Sequence, residues 1–268
     1  MNDPQYTGDE RYMVPGLVRG LSLLEAFSGE QSSLSLADLS RVLGASRSST
    51  FRIAYTLTEL GYLVRDDATK RYRLGNRVLG LGFGYLSSLE LAESARPHLE
   101  ALRDRTDCSA HLAVLDGVEI VYVARYADKK SLTSRIQVGS RLPAHATTMG
   151  RAILSQLSPA DVRARFEGAE LKRFSAVTAT SVDELIQQLT KDATRGCVIS
   201  RSNFERGVAS LAAPVFDAGG IVAGAINITT PESTLRGDEL ETSIKDAVME
   251  ASATISKWLG HRGERRSA

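Results

Sequence analysis

The chain has 268 residues, 43% of them hydrophobic, with 33 Lys and Arg against 32 Asp and Glu, and two cysteines. That apolar content suits packed cores in one large or two ordinary domains, and it excludes a disordered chain and a disulfide-stapled fold. No apolar run reaches the roughly 18–20 residues of a membrane span, and the opening MNDPQYTGDERYMVPG lacks a signal peptide's apolar stretch, so a reducing cytoplasm is the expected setting.

A first helix is predicted over about 16–27, with Leu17, Leu21 and Leu24 as its buried stripe. SGEQSS is a loop. A second helix starts near Ser35, with Asp38 at the capping-box position and Leu36, Leu39 and Leu43 facing inward; Gly44 suits a left-handed end. Ser46 caps a third helix that runs to about Leu60, where Gly61 stops it. YLVRDDATKRYRL then gives two short strands around 66–70. Helix, helix, turn, helix and hairpin make a winged helix-turn-helix.

The third helix, in RSSTFRIAYTLTELGYL, crowds Arg47, Ser48, Ser49, Thr50, Arg52 and Tyr55 into its first turns, with Ile53, Leu57 and Leu60 behind them. The N-terminal end of a helix in a DNA major groove meets base edges, and arginine can grip guanine with two hydrogen bonds. Those six residues are therefore expected to face DNA, with Lys70, Arg71 and Arg73 of the hairpin along phosphates. Net charge over the whole chain is only +1, and residues 11–75 hold nine Lys and Arg against six Asp and Glu, 9 − 6 = +3. The placement of charge, more than its amount, carries the expectation.

Residues 76–96 read as a connecting helix whose Gly80, Gly82 and Gly84 weaken it, for close packing, for a hinge or by simple tolerance. Past Pro97, HLEALRDRTD is an amphipathic helix and SAHLAVLDGVEIVYVARY a strand, Asp-Gly turn and strand. Helices follow at TTMGRAILSQL, at SPADVRARF and, capped by Ser181, at SVDELIQQLTKDATRG. CVISRSN, VASLAAPVFD and IVAGAINITTP are strands, GDELETSIKDAVMEASATISKWLG a closing helix and HRGERRSA a disordered tail. An antiparallel sheet flanked by helices makes the second part an α+β domain.

The stretches GLVRGLSLLEAF, SLADLSRVLGASRSSTFRIAYTLTELGYL, RYRLGNRVLGLG, VGSRLPAHATTMGRAIL and LAAPVFDAGGIVAGAINITTP, in that order and spacing, resemble the IclR family of transcriptional regulators over about residues 13–259. The wording VGSRLPAHATTMGRAIL is closest to the branch that regulates catabolism of aromatic acids such as protocatechuate and hydroxybenzoate. The resemblance implies a winged helix-turn-helix over 13–75, a linker helix over 76–96 and a GAF-like effector domain over 97–260. It also implies dimers or tetramers on palindromic double-stranded DNA, since two recognition helices read half-sites about one turn apart. Carried over position by position, it places the effector at Thr148, Met149, Ser200, Val208, Ser210, Asn227 and Thr229. Many relatives have an acidic cluster where this chain has Ser200, Arg201, Ser202 and Asn203, and Ser200 and Ser210 replace the Asp/Cys pair of glyoxylate-responsive relatives. A Ser/Asn/Thr rim with a nearby arginine suits another small organic acid.

Other constellations are weaker. Cys108 and His111 would point to opposite faces of a strand, against the four converging ligands of a structural zinc, so a buried thiol and a hydrogen-bonded histidine are expected and no metal or cofactor. There is no G-x-S-x-G, H-E-x-x-H or P-loop, and Gly219-Gly220 belongs to a hairpin, so no enzyme is expected. Arg125, Arg135 and Arg141 read as a solvated face at the effector pocket, or as partners for a carboxylate, and Asp128, Lys129 and Lys130 as a charged loop. The pattern alone also admits a small-molecule sensor or enzyme with a helical N-terminal module, and a constitutive repressor whose C-terminal half only oligomerises.

Overall fold

The structure, a computed structural model, describes residues 10–27, 31–88, 90–128 and 136–262. The chain divides into two compact units, residues 1–85 and 86–268. In the first, α1 (Pro15–Glu25) opens on a proline, whose missing N–H would have no helical partner there. Ser35 and Asp38 form a reciprocal capping box at the start of α2 (Leu36–Leu43), and Gly44 ends it in the left-handed conformation at φ 57°. The Ser46 hydroxyl accepts from Ser49 N at the start of α3 (Arg47–Glu59). β1 (Leu63–Arg65) pairs antiparallel with β2 (Tyr72–Leu74), and Leu34 bridges to Tyr72. Leu23, Phe27, Leu39, Ala54, Leu63 and Tyr72 form the core of this unit. α4 (Arg77–Ser88) follows.

The second unit is built on one antiparallel six-stranded sheet of order β5-β4-β3-β8-β7-β6. Its strands are β3 (Ser109–Asp116), β4 (Glu119–Tyr126), β5 (Arg141–Pro143), β6 (Val198–Arg201), β7 (Val208–Phe216) and β8 (Val222–Pro231). α5 (Glu90–Thr106) and α9 (Ser243–Trp258) cover one face, burying Leu99, Leu102, Val248 and Ile255 against Leu112, Leu211 and Ile226. α6 (Thr148–Leu154), α7 (Pro159–Arg165) and α8 (Val182–Arg195) cover the other, burying Met149, Ile153, Val162 and Leu185 against Ala113, Tyr122, Ala212 and Ala225. The period-two alternation of the strands produces these two cores. β3 and β4 slip register by a bulge at Leu112/Ala113, so His111 and Ala113 share a face while their partners are Arg125 and Tyr122.

α6 starts under unusual crowding. A Cβ built on Gly150 would lie 2.2 Å from the Ala144 carbonyl oxygen, so only glycine lets this helix meet the 144–147 stretch. Gly150→Ala is therefore expected to cost about 1–3 kcal/mol or more by forcing the backbone apart, read as a lower urea midpoint with an unchanged slope.

Several sequence expectations are corrected. Leu17 and Leu21 are 62% and 51% exposed; α1 buries Leu23 instead. Ala54 and Thr50 line the inner face of α3, and Leu60 is half exposed. The helix expected to begin after Pro97 runs straight through it from Glu90, the proline costing one N–H and leaving the turns on both sides intact. The closing helix starts at Ser243, because Thr242 at φ −118°, ψ −100° is not helical. Cβ atoms on Gly80, Gly82 and Gly84 would meet nothing within 4 Å, so close packing within the described residues does not account for them. Asp128 is buried beside Ser109 and is no solvated loop charge; Lys129, Lys130 and Arg135 lie outside the described residues, as do residues 263–268 of the tail. Among the described residues, no helix is long and apolar enough to cross a membrane.

Candidate functional site

α3 presents two side-chain rows to solvent. Arg47, Phe51 and Tyr55 fall four residues apart along one, and Ser48, Arg52 and Thr56 along the other. Phe51 is 44% and Tyr55 55% exposed, with ring centroids 6.2 Å apart. Of the six residues expected on this face, Arg47, Ser48, Arg52 and Tyr55 are exposed and Ser49 is half-buried. Thr50 is the correction: it is 0% exposed, and its hydroxyl donates to the Ser46 carbonyl at 3.0 Å, fixing the first turn. Phe51 takes the outward place instead. Sequence reasoning missed it because an apolar residue among helical neighbours reads as core, although its four-residue spacing from Arg47 and Tyr55 was the available signal.

The hairpin turn is ordered by Asp66, whose carboxylate accepts from Ala68 N, Thr69 N and the Thr69 hydroxyl at 2.7–3.0 Å. These bonds hold the Asp66 carboxyl below the usual range. Lys70 sits at the exposed tip with φ 56°, and Arg73 is exposed. Arg71 is used otherwise: its guanidinium donates to the Ser33 hydroxyl at 3.1 Å and the Ser33 carbonyl at 2.7 Å, tying the hairpin to the chain before α2. Arg71 is thus the anchored member of the three hairpin cations expected at phosphates.

On the helical side of the sheet that α6 covers lies a cavity of about 120 Å³. For scale, about 150 Å³ holds a benzene ring. Thr148, Ser200, Val208, Ser210, Asn227 and Thr229 all line it, brought together from α6, β6, β7 and β8. Met149 does not: it is fully buried one position on, in the core between α6 and the sheet. A helix turns consecutive side chains by about 100°, so only one of the two can face the cavity. Tyr122, Ile136, Leu142, Phe204 and Glu205 complete much of the wall and were not foreseen.

The polar floor is a connected row. Thr148 Oγ1 lies 2.8 Å from Ser210 Oγ, Asn227 Nδ2 donates to Ser210 Oγ at 3.1 Å, and Asn227 Oδ1 lies 3.0 Å from His111 Nδ1. His111 is fully buried with Tyr122 edge-on at 5.6 Å, and burial, aided by the charge of Arg125, lowers its pKa to about 4. Burial also raises the Tyr122 hydroxyl pKa, with Glu205 adding to the effect. Because unfolded histidine takes up a proton near pH 6.5 and folded His111 resists until about 4, its contribution is complete above 6.5 and falls with pH through that window. Between pH 7 and 4.5 this group should remove about 2–3 kcal/mol of stability. Denaturant titrations of His111→Gln should show a shallower acid decline than those of the unchanged chain; parallel declines refute the assignment.

Cys108 is buried with its thiol donating to the Thr106 carbonyl, apart from the His111 network. Arg141 is held by Asp116 and Glu119, and Arg201 by Glu241 and Glu232, so neither waits free at the cavity. Among the described wall residues none is a lysine or an arginine.

Comparison with known proteins places both units. Residues 16–67 match the IclR helix-turn-helix domain, and residues 83–257 match the bacterial transcriptional regulator IclR C-terminal domain. The Pca regulon regulatory protein of Pseudomonas putida is 34% identical over 255 residues, 95% of this chain and 87% of that one. The p-hydroxybenzoate hydroxylase transcriptional activator of Acinetobacter baylyi is 33% identical over 222 residues, 80% of each chain. A crystal structure from Rhodococcus sp. RHA1, assigned as a transcriptional regulator, superposes with a TM-score of 0.81 at 35% identity, covering 92% of this chain and 98% of its own.

Proposed function

Since the chain belongs to the IclR family of DNA-binding transcriptional regulators, we propose that it is a cytoplasmic homo-oligomer that grips a palindromic operator and is switched by a small aromatic acid. DNA binding falls to residues 13–75, the connection to 76–96 and effector binding to 97–260. Arg47, Ser48, Arg52 and Tyr55 read the groove, with Ser49 at its margin and Lys70 and Arg73 on phosphates. The observation that carries the effector half of this reading is the cavity in which Thr148, Ser200, Val208, Ser210, Asn227 and Thr229 converge. Its wall combines apolar side chains with a few placed hydroxyls and an amide, the usual make-up of a small-molecule site. A relative named for activating p-hydroxybenzoate hydroxylase supports an aromatic acid as the ligand. Oligomerisation is supported by Leu17 and Leu21 on α1 and by Leu79 and Leu81 on α4, all at least half exposed. Apolar side chains in such number on short helices suit a second copy.

The test is operator affinity, measured by fluorescence anisotropy on DNA fragments selected from a random pool, with and without a panel of aromatic and aliphatic acids. An aromatic acid should change the affinity by about 5–150-fold, the usual span of a coupling between two sites. Selected fragments should carry inverted half-sites with centres about one helical turn, or a multiple of it, apart. Affinity indifferent to every acid overturns the effector assignment.

A further inference from the structure

The row of hydrogen bonds beneath the cavity leaves little freedom about where each proton sits. It starts from a backbone carbonyl, which can only accept. Ser210 Oγ lies 3.0 Å from Ile228 O, and a serine hydroxyl has one proton, so that proton points at the carbonyl. Two lone pairs then remain on Ser210 Oγ. Asn227 Nδ2 donates to one of them, which turns Asn227 Oδ1 toward His111. An amide oxygen accepts, so His111 carries its proton on Nδ1 and leaves Nε2 bare; Nε2 is buried and has no partner among the described residues. Thr148 Oγ1 meets the second lone pair of Ser210 at 2.8 Å and must donate to it. Thr148, which lines the cavity, is left with lone pairs alone to offer a ligand.

We propose that Thr148 selects an effector bearing a hydrogen-bond donor, a hydroxyl group on a small ring acid, and that Ser210, its own proton held by the Ile228 carbonyl, is the positioning residue that commits the Thr148 proton elsewhere. The proposal rests on the aromatic-acid reading above and narrows it. An ionised carboxylate offers only acceptors and gains nothing from lone pairs. A ring hydroxyl placed there donates. Glu205, in the same wall, brings further acceptor oxygens, so the described wall holds two places for a donor.

The experiment is calorimetry on the full chain with p-hydroxybenzoate, p-fluorobenzoate and benzoate. Fluorine is near hydroxyl in size and cannot donate. The unchanged protein should bind p-hydroxybenzoate about ten-fold or more tighter than p-fluorobenzoate, the worth of one well-made hydrogen bond in a dry site. Thr148→Val should bring that ratio close to one, with the larger loss falling on p-hydroxybenzoate. Ser210→Ala takes away the acceptor of the Thr148 proton, so Thr148 can then donate as well as accept, and the ratio should shrink while Thr148 itself is unchanged, which a merely structural role for Ser210 would not do. Equal affinity for the two ligands in the unchanged protein, or a ratio untouched by Thr148→Val, overturns this proposal and leaves the aromatic-acid reading standing. Silence toward all three ligands overturns both.

Discussion

Alanine at both Arg47 and Arg52 should weaken operator binding by about 2–6 kcal/mol, the sum of about 1–3 kcal/mol for each arginine that reads a base edge. That is a loss of tens-fold at the low end and about ten-thousand-fold at the high end. Both side chains are exposed near the start of α3, and no described hydrogen bond or ion pair ties either to the protein. Their removal therefore changes the face offered to DNA and little else. Ser46 still caps the helix, and Thr50 and Ala54 still hold its inner side. Anisotropy against selected operators gives the loss, and circular dichroism confirms the fold. Salt dependence separates the two uses of arginine: removing a phosphate-binding side chain lowers the log–log salt slope by about one, whereas removing a base-reading one relaxes preference at one position. Full affinity in the double variant would remove α3 as the reading helix.

Asp192→Ala should cost about 3–5 kcal/mol, a large share of the roughly 5–15 kcal/mol that holds a domain together. Arg151 of α6 donates to both carboxylate oxygens of Asp192 on α8 at 2.8 and 2.9 Å, and both side chains are largely sequestered, 11% and 2% exposed. Burial pushes the Asp192 carboxyl up even beside the guanidinium, so desolvation outweighs the attraction. Removing one partner leaves Arg151 charged and unpaired in the interior. Replacing both, as Arg151→Met with Asp192→Leu, should recover most of the loss, because an apolar pair of similar volume removes the desolvation along with the charge. Urea unfolding of the single and double variants checks this. α6 also carries Thr148, so the single variant should blur the cavity as well as loosen the fold.

Local chemistry was readable wherever a residue acts on its own neighbourhood. The capping box at Ser35 and Asp38, the left-handed Gly44, the Ser46 and Ser181 caps and the Asp-Gly turn after β3 follow from nearest neighbours, and the structure contains each of them. The cavity residues came from the family resemblance, which preserves position without knowing which side of a helix turn faces inward; hence Thr148 lines the cavity and Met149 does not. What stayed illegible depends on distant partners. Leu17 and Leu21 look like a core stripe, but the direction of a stripe is decided by what packs on it. The use of Arg71 was hidden because Ser33 is 38 residues away. The His111–Asn227 bond joins positions 116 apart, which no periodicity relates.

The sheet is a partition. The cavity lies with α6 on one side, while α5, whose chain leads back through α4 to the N-terminal unit, packs on the other. A coupling that ran along the chain from the cavity to α5 would therefore cross the strands, as if through a drumhead. Neighbouring residues on β3 look into opposite rooms: His111 joins the row beneath the cavity through Asn227, and Leu112 bears on the core that α5 helps to fill.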